Sequence, residues 1–421
     1  SVGDNIAAAK WLHGDAVDLD PILDLFPDLR RRWDEPAANL SGGQQQMLAM
    51  AMVLVGEPRV LMIDELSLGL APIVVEQLLP VVERIAESGV TVILVEQSVN
   101  VALTVAERAY FMEKGQIRYE GATAELLDRP DVLRSVFLHG ATADHDTPTE
   151  RRDRSEDEVV LQTVALNRSF GGITAVDSVS LDVHQGQIVG LIGPNGAGKT
   201  TLFDLISGLV PAHGGTVTLG GVDISDRPAH ARAMAGLGRS FQDAKLFPAL
   251  TVAETLAVAL ERFVRARDPI SAALHLPRTF ESEREIAQRV DSLIDLMGLQ
   301  AYRNKFIREL STGTRRMVDL ACVVAHRPLV VLLDEPSSGI AQREAEALGP
   351  VLTRIRDEMG TALLVIEHDM PLVSGIADEL IALEQGAVIA RGTPEDVLAH
   401  PAVIQSYLGN TQAVIARSGP T

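Results

Sequence analysis

The chain has 421 residues, of which 46% are hydrophobic and 22% are charged, and this composition is sufficient for two domains with hydrophobic cores. A formal net charge of −20 argues against a broad nucleic-acid-binding surface, because such a surface sets many lysines and arginines against phosphates. The single cysteine excludes a disulfide framework and fits a cytosolic compartment. No apolar run reaches the roughly 18 residues that cross a bilayer, so we expect membrane contact to come through partners.

The first third of the chain carries a short polar motif and two apolar runs with acidic ends. Leu40–Gln44 reads Leu-Ser-Gly-Gly-Gln, and the run Val60–Glu65 ends in Asp-Glu, with its aspartate 23 residues after the serine. The run Val92–Gln97 ends in Glu-Gln, and Gly121 follows 24 residues after that glutamine. Residues 1–150 contain no Gly-x-x-x-x-Gly-Lys-Ser/Thr sequence, so no phosphate-binding loop is predicted there.

Residues 140–157 are polar and charged and lack apolar periodicity, which is typical of a solvated linker. A binding patch could be formed by His145, Arg151 and Arg152. The acidic residues among them favour a solvated tether instead. We therefore predict a first domain at 1–139, a linker at 140–157, a second domain at 158–410 and a tail at 411–421.

A glycine-rich segment follows the linker. The apolar run Ile188–Ile192 leads into Gly-Pro-Asn-Gly-Ala-Gly-Lys-Thr, and a helical pattern then starts at Thr201. Glycines let backbone N–H groups turn toward phosphates, Lys199 adds positive charge, and Thr200 supplies a hydroxyl for magnesium. A chance glycine-rich turn is the alternative, but the strand–loop–helix order favours a nucleoside triphosphate site. The predicted binding residues are Gly193, Pro194, Asn195, Gly196, Ala197, Gly198, Lys199, Thr200 and Thr201.

Beyond Val159, apolar strand patterns alternate with longer helical patterns, which predicts an α/β fold with a parallel sheet flanked by helices. Residues 251–309 differ, because apolar positions from Glu281 to Leu296 recur at helical spacing. We expect a helical subdomain there. Cys322 lies in a further apolar helical run, where a packed side chain is favoured over a reactive thiol.

The second half of the chain repeats the motifs of the first half in the same order. Leu310–Thr314 matches the Leu-Ser-Gly-Gly-Gln segment, Val330–Glu335 matches the Asp-Glu run at the same 23-residue offset, and Leu363–His368 matches the later run. Chance does not preserve such a register, so these are two copies of one unit. Ser1–Ile6 resembles Thr251–Leu256, which lies past the phosphate loop. We therefore interpret the first copy as lacking its nucleotide-binding half, in a truncated product or a fragment of a longer fusion.

These motifs resemble those of the ATP-binding-cassette (ABC) family: a phosphate loop (Walker A), a Leu-Ser-Gly-Gly-Gln signature, an apolar strand ending in Asp-Glu (Walker B) and a late switch histidine. The resemblance covers nearly the whole chain. It implies the P-loop NTPase fold of ABC cassettes, with a helical subdomain, in two tandem copies of which the first is incomplete. It also implies ATP and Mg²⁺ as cofactors and ATP hydrolysis as the activity.

The resemblance also implies roles for single residues around the phosphates. Glu335 would be the general base, and His368 would contact the γ-phosphate and steady the attacking water. Thr200 and Gln242 would coordinate magnesium, and Asp334 would reach it through water. Alone, Gln242 would be interpreted as an ordinary surface residue and His368 as a hydrogen-bonded histidine at a helix start. Their order behind the phosphate loop favours the catalytic and metal-binding roles instead.

Cassettes of this family pair head to tail, so the signature of one closes over the phosphate loop of the other. The phosphate loop of the second copy would receive the intact signature of the first copy. The other site would use a signature that departs from the family pattern at Thr312 and Thr314, and Gln97 replaces the switch histidine there. We predict one competent site and one impaired or empty site. The signature residues predicted to contact ATP are Ser41, Gly42, Gly43 and Gln44.

Local sequence narrows the resemblance to the two ATP-binding subunits of branched-chain amino acid importers, fused in one chain. Asp64–Pro72 resembles one subunit, with Leu66 where that subunit usually has proline, and Phe170–Val176 and Arg391–Glu395 resemble the other. Phe170 also resembles the aromatic residue that stacks on adenine, although a core or surface role fits it nearly as well.

The importer resemblance implies transmembrane permease subunits as partners, an extracytoplasmic solute-binding protein as an indirect partner, and a peripheral location at the cytoplasmic face of the membrane. Urea or other amides stay open as cargo. A twin-cassette ATPase acting on ribosomes or DNA shares the ATP-site motifs, but it normally has a long charged linker and basic tails. A remnant without catalytic activity is the other alternative, because loss of strands leaves an exposed sheet.

Overall fold

The computed structural model divides into two compact units, the first formed mainly by residues 1–136 and the second mainly by residues 137–404. The domain and linker boundaries drawn from the sequence stay predictions. Gln97, Gln242, nearly all of the linker and the predicted tail lie outside the described residues. The structure describes residues 1–13, 17–66, 72–96, 105–113, 115–123, 157–241, 245–263, 277–340 and 342–408.

The described part of the first unit combines short helices with two strand pairs. Strands β1 (Val60–Asp64) and β2 (Thr91–Val95) pair in parallel, and β3 (Arg108–Glu113) pairs antiparallel with β4 (Gln116–Ala122). The α-helices are Val2–His13, Asp20–Leu25, Pro27–Arg31, Gly42–Leu54 and Pro72–Glu87, with a 3-10 turn at Ala37–Asn39. Its core includes the buried side chains of Phe26, Leu29, Leu48, Ile63 and Leu78.

The second unit contains a six-stranded sheet, in the order β10-β11-β12-β7-β13-β14, and a four-stranded sheet, in the order β6-β5-β8-β9. The large sheet is parallel except for β14, which pairs antiparallel with β13. The strands are β5 (Val159–Phe170), β6 (Ile173–His184), β7 (Ile188–Ile192), β8 (Gly214–Leu219), β9 (Val222–Asp223), β10 (Leu237–Ser240), β11 (Val330–Asp334), β12 (Ala362–Ile366), β13 (Glu379–Glu384) and β14 (Ala387–Gly392).

The predicted α/β fold is confirmed, with two differences. The four-stranded sheet is antiparallel, and the alternation of strand and helix patterns did not predict it. The helix after the phosphate loop begins at Lys199, two residues before the predicted start, because Gly198 already turns the backbone into it with a left-handed φ of 97°. The α-helices are Lys199–Ser207, Ala229–Met234, Val252–Ala259, Pro277–Leu296, Thr312–Val324, Gln342–Met359, Met370–Ile376, Pro394–Ala399 and Pro401–Leu408.

Helices occupy the described part of the predicted helical subdomain. Thr251 begins the first of them with a capping box, in which its Oγ1 accepts from the backbone N of Glu254 at 3.2 Å and the Glu254 carboxylate accepts from the backbone N of Thr251 at 2.8 Å. The helix Pro277–Leu296 covers the predicted helical spacing from 281 to 296. Short 3-10 turns lie at Glu261–Phe263, Gln300–Tyr302 and Ile307–Glu309.

The internal repeat is present in the backbone as well as in the sequence. The signature helices Gly42–Leu54 and Thr312–Val324 both have 13 residues. Glu65 and Glu335 both adopt a left-handed backbone, with φ of 48° and 47°. Each donates its backbone N–H to the last residue of the neighbouring strand, Glu65 to the carbonyl of Val95 at 2.8 Å and Glu335 to the carbonyl of Ile366 at 2.9 Å. The two copies therefore share turns as well as helices and strands.

Candidate functional site

Three neighbouring parallel strands of the second unit bring the candidate residues together. In the large sheet, β12 lies between β11 and β7, and the three strands run in the same direction. The phosphate loop follows β7, Asp334 ends β11 and is followed by Glu335, and His368 follows β12. Ligands of open α/β sheets bind at the carboxyl ends of such strands. The topology thus gathers motifs that are far apart in the sequence.

Two positions in the phosphate loop require glycine. A Cβ atom on Gly193 would lie 2.3 Å from the backbone oxygen of Leu383, and a Cβ atom on Gly198 would lie 2.1 Å from the backbone oxygen of Ala175. Both glycines also have positive φ, at 150° and 97°. Any side chain at either position would strain the backbone and collide with a neighbouring strand or turn. The loop is therefore held open by close backbone packing.

Lys199 is buried at the start of the following helix, with 6% of its surface exposed. Its Nζ donates a hydrogen bond to the carbonyl of Gly193 at 2.6 Å. Burial lowers the pKa of Lys199 to about 8, although the charges of Glu335 and Asp334 oppose that shift. The side chain is still mainly protonated at neutral pH, and an approaching phosphate would favour the charged form further.

Asp334 presents a buried carboxylate with an unused oxygen. It is 4% exposed, and its Oδ1 has no hydrogen-bond partner among the described residues. Burial, assisted by the neighbouring charge of Glu335, raises the pKa of Asp334. An orphaned carboxylate oxygen fits a water ligand of Mg²⁺, an ion that keeps several of its own waters. In the described part of the chain no three His, Cys, Asp or Glu residues cluster as metal ligands.

Glu335 and His368 are in direct contact. The Nε2 atom of His368 lies 3.0 Å from the Oε1 atom of Glu335. The hydrogen bond from His368 lowers the pKa of Glu335, although burial opposes that effect. The carboxylate is therefore ionised at neutral pH and can accept a proton from water. The structure brings the predicted base and the predicted switch histidine together with Lys199 and Asp334.

The predicted signature residues of the first copy lie at the start of the helix Gly42–Leu54. The Oγ of Ser41 accepts from the backbone N of Gln44 at 3.4 Å, and the Gln44 side chain accepts from the backbone N of Ser41 at 3.0 Å. These reciprocal bonds form a capping box, which accounts for a serine and a glutamine at this spacing. Gly42 is exposed, whereas Gly43 is buried. Their contact with ATP stays a prediction.

The signature of the second copy has a different neighbour. The Oγ of Ser311 donates a hydrogen bond to the Oε1 atom of Glu344 at 2.5 Å and accepts one from the backbone N of Thr314 at 3.1 Å. A Cβ atom on Gly313 would lie 2.3 Å from the Oε2 atom of Glu344. A carboxylate therefore packs against the serine and the glycine that the family presents to a phosphate. No sequence motif indicates Glu344, which is 33 residues away from Ser311.

Other predicted residues differ in how far they are exposed. Phe170 ends β5 with 45% of its surface exposed, and the guanidinium of Arg168 lies 4.7 Å from its ring centroid. This position is open to a planar ligand, and the adenine contact stays a prediction. In the loop, Asn195 and Gly196 are exposed, as is Thr200 in the first turn of the helix, whereas Ala197 is buried.

Arg239 is a site neighbour that the sequence did not indicate. Its Nη1 atom lies 2.8 Å from the Oδ1 atom of Asp204 and donates to the Oγ of Ser207 at 2.7 Å, and its Nη2 atom lies 3.9 Å from the Oδ2 atom of Asp334. The guanidinium thus links the phosphate-loop helix to the carboxylate at the end of β11. A lone arginine on a short strand carries no motif, so only the fold reveals this role.

None of the described helices is both long enough and apolar enough to cross a membrane.

Comparison with known protein families assigns both halves of the chain to one family. The family model described as ABC transporter matches residues 10–67 and 176–338, which together are more than half of the chain. The first range contains a signature and an Asp-Glu strand without a phosphate loop, and the second contains all three. A second model, described as branched-chain amino acid ATP-binding cassette transporter, matches residues 387–412.

Individual relatives match about three fifths of the chain. The high-affinity branched-chain amino acid transport ATP-binding protein BraF of Pseudomonas aeruginosa is 36% identical over 250 residues, which are 59% of this chain and 98% of that protein. The corresponding protein LivG of Escherichia coli is 35% identical with the same coverage. Among solved structures, the ADP conformation of MJ1267, an ATP-binding cassette of an ABC transporter, is 26% identical with a TM-score of 0.51, and covers 60% of this chain and 100% of that chain.

Proposed function

Since the chain belongs to the ABC transporter family, whose ATP-binding domains are ATPases, we propose that it powers an importer of branched-chain or related amino acids. The observation that carries the catalytic assignment is the contact between Glu335 and His368 beside the buried Lys199 and Asp334. The cargo class is supported by the printed names of BraF and LivG, which are similar to this chain.

The proposed reaction is attack of water on the γ-phosphorus of ATP, which breaks the bond to the β–γ bridging oxygen and releases ADP and phosphate. The backbone of the loop at 193–200 and the ammonium of Lys199 bind the phosphates. Thr200, Gln242 and Asp334 would hold Mg²⁺, which neutralises charge on the phosphate oxygens when it is bound. Glu335, ionised beside His368, accepts the proton of the attacking water, and His368 orients that water.

The proposed ATP site is completed by the signature of the first copy. Ser41 presents a hydroxyl at the start of a 13-residue helix, and a glycine-rich helix start of this kind favours an anion. The second signature is unsuited to the same task, because the Ser311 hydroxyl is bonded to the carboxylate of Glu344. A carboxylate at that position repels a triphosphate. This contrast supports one competent and one impaired site.

The proposed partners are transmembrane permease subunits, with a solute-binding protein outside the membrane as an indirect partner. The chain would then lie at the cytoplasmic face of the membrane as a peripheral subunit. Support comes from the similarity to ATP-binding proteins of transport systems. In this proposal the permease subunits supply the path for the solute.

The catalytic assignment is tested by Glu335→Gln, with Glu65→Gln as the matched control in the first copy. The amide of Glu335→Gln cannot accept a proton, so we expect phosphate release to fall at least about 10²-fold while binding of a fluorescent ATP analogue stays within about twofold. Glu65→Gln should leave phosphate release unchanged. Normal hydrolysis by Glu335→Gln would remove Glu335 as the base, and loss of hydrolysis in Glu65→Gln would contradict the unequal sites.

The transport assignment needs a separate experiment. Purification of the tagged full chain from its native membranes should recover a permease, and amino acid uptake should depend on Glu335. Recovery of ribosomes instead would favour the alternative of a twin-cassette ATPase that acts on them. A chain with no ATPase activity, alone and with membrane partners, would favour the remnant without catalytic function.

A further inference from the structure

A buried glutamate connects the two loops that carry the proposed catalytic pair. Glu367 directly follows β12 and is 1% exposed. Its Oε1 atom accepts from the backbone N of Ser337 at 2.8 Å, and its Oε2 atom accepts from the Oγ of Ser337 at 2.8 Å. The same Oε2 atom accepts from the backbone N of His368 at 3.1 Å and of Asp369 at 3.4 Å. One carboxylate thus receives donors from the loop after β11 and from the loop after β12.

These contacts require an acceptor with two oxygens. Burial raises the pKa of Glu367, and the bonds from Ser337, Asp369 and His368 act in the opposite direction. All four contacts place an N–H or O–H group on the carboxylate, so the ionised form satisfies every one of them. A protonated carboxyl would bring its own O–H against these donors. Through these four contacts the side chain is suited to hold the two loops together as a clamp.

We propose that Glu367 is a positioning residue that fixes the distance between Glu335 and His368. Ser337 lies two residues after Glu335, and Glu367 lies directly before His368, so the carboxylate constrains the loops that carry both residues of the pair. The contact that it would hold is the 3.0 Å approach of His368 Nε2 to Glu335 Oε1. This role rests on the proposed ATPase function, because the distance between Glu335 and His368 matters only if the two residues act on the attacking water.

The test compares three variants with a control at the other end of strand β12. Glu367→Ala removes all four contacts, Glu367→Gln keeps one acceptor oxygen but sets its amide N–H against a donor, and Ser337→Ala removes the hydroxyl contact alone. The control is Thr361→Val, because Thr361 is 2% exposed and donates to the carbonyl of Pro328 at the opposite end of β12. It removes a buried hydrogen bond without touching either loop.

We expect kcat to fall about 10²-fold in Glu367→Ala, less in Glu367→Gln and least in Ser337→Ala, with KM for ATP within about twofold. Misplaced reacting groups lower the rate of the chemical step, whereas the phosphate loop that binds ATP lies on another strand. Thr361→Val should lose thermal stability but keep its kcat. Unchanged kcat in Glu367→Ala, or an equal loss in Thr361→Val, would overturn the proposal.

Amide hydrogen exchange separates this proposal from the ATPase assignment. In Glu367→Ala, the amides of Ser337, His368 and Asp369 should exchange faster, while those of the helix Lys199–Ser207 keep their protection. If the native chain hydrolyses no ATP but shows this exchange pattern, the clamp stands and the proposed function fails. If the native chain is active and the three amides stay protected in Glu367→Ala, the clamp fails and the function stands.

Discussion

Strands β1–β2 of the first unit and β11–β12 of the second share an apolar sequence pattern and parallel pairing, but they differ in burial. In β1, exposed and buried residues alternate, with Val60 50% exposed and Met62 73% exposed. Their counterparts Val330 and Leu332 are fully buried. The same kind of sequence thus produces a strand with one open face in one copy and a strand with two covered faces in the other.

The cause of the difference lies in the neighbouring elements. In the second unit, Leu332 shares a core cluster with Leu202, Phe203 and Ile206 of the phosphate-loop helix, and β12 pairs with β7 along its second edge. The described residues of the first unit contain no counterpart of β7 or of that helix. An apolar run therefore determines that a strand forms, whereas the elements beside it determine how much of the strand is buried.

The two signature helices extend the comparison. A Cβ atom on Gly43 would lie 2.1 Å from the Cγ1 atom of Val74, while the matching position on Gly313 faces the carboxylate of Glu344. The first copy thus has a neutral residue beside its signature and no described phosphate loop, whereas the second has a phosphate loop and a carboxylate beside its signature.

The largest expected effect contrasts Leu332→Glu with Met62→Glu. A glutamate at the buried position 332 leaves an unpaired carboxylate in the core, so we expect a loss of more than about 4 kcal/mol and a thermal transition of the second unit lower by roughly 10 °C. Met62→Glu should change the stability of the first unit by less than about 0.5 kcal/mol. Differential scanning calorimetry of both variants checks this, and equal losses would mean that the face carrying Met62 is covered in solution.

A smaller effect is expected for Lys199→Met. The pKa of Lys199 is about 8 in the folded chain and 10.5 for an unperturbed lysine, so burial of its charge costs about 3 kcal/mol below pH 8. After allowance for the lost bond to Gly193, we expect Lys199→Met to stabilise the nucleotide-free second unit by about 2 kcal/mol at pH 7. ATP binding should be lost.

The pH dependence of the stability gained by Lys199→Met provides the control for this prediction. Between pH 8 and 10.5 the unfolded wild-type chain binds more protons than the folded chain, so wild-type stability rises with pH there. The advantage of the variant should therefore shrink over this range and stay constant below it. Denaturant unfolding across pH measures both trends. A variant less stable than wild type at pH 7 would contradict a cost of burying this charge.

The smallest expected effect on phosphate release comes from exchanging the side chains beside the two signature glycines. Val74 lies beside Gly43 and Glu344 lies beside Gly313, so the variants are Val74→Glu and Glu344→Val. A carboxylate beside Gly43 should lower phosphate release about tenfold, or about 1.4 kcal/mol, because it repels the triphosphate that the first signature would cover. Glu344→Val should not lower phosphate release. Steady-state phosphate release gives both values. If Val74→Glu hydrolyses ATP at the wild-type rate, the first signature does not face the phosphates.

Much of the fold could be predicted because the motifs depend on local sequence. The strands before Gly193, Glu335 and His368 are short apolar runs with clear ends, and the repeat fixes their order. The antiparallel sheet was not predicted, since its pairing joins β5 to strands on both sides and no local pattern specifies a partner. The helix start at Lys199 was missed because Gly198 adopts a conformation that sequence alone does not reveal.

The sequence predicted the four residues that the structure brings together, but it did not predict the residues that contact them. Lys199, Asp334, Glu335 and His368 stand in motifs, and the structure brings them together. Arg239, Glu344 and Glu367 have no motif, because each acts through a partner that only the fold places beside it. The sequence shows an acidic residue, Glu367, directly before the predicted switch histidine. It does not show that this residue is buried or which groups it contacts.

The left-handed backbone at Glu65 and Glu335 has a consequence for evolution and engineering. A residue other than glycine in that conformation costs roughly 1 kcal/mol. In the second copy this strained turn carries the proposed base, Glu335. The first copy keeps the same strain although residues 1–150 hold no phosphate-loop motif. At position 65 a glycine would therefore remove this backbone strain without changing any residue of the proposed ATP site.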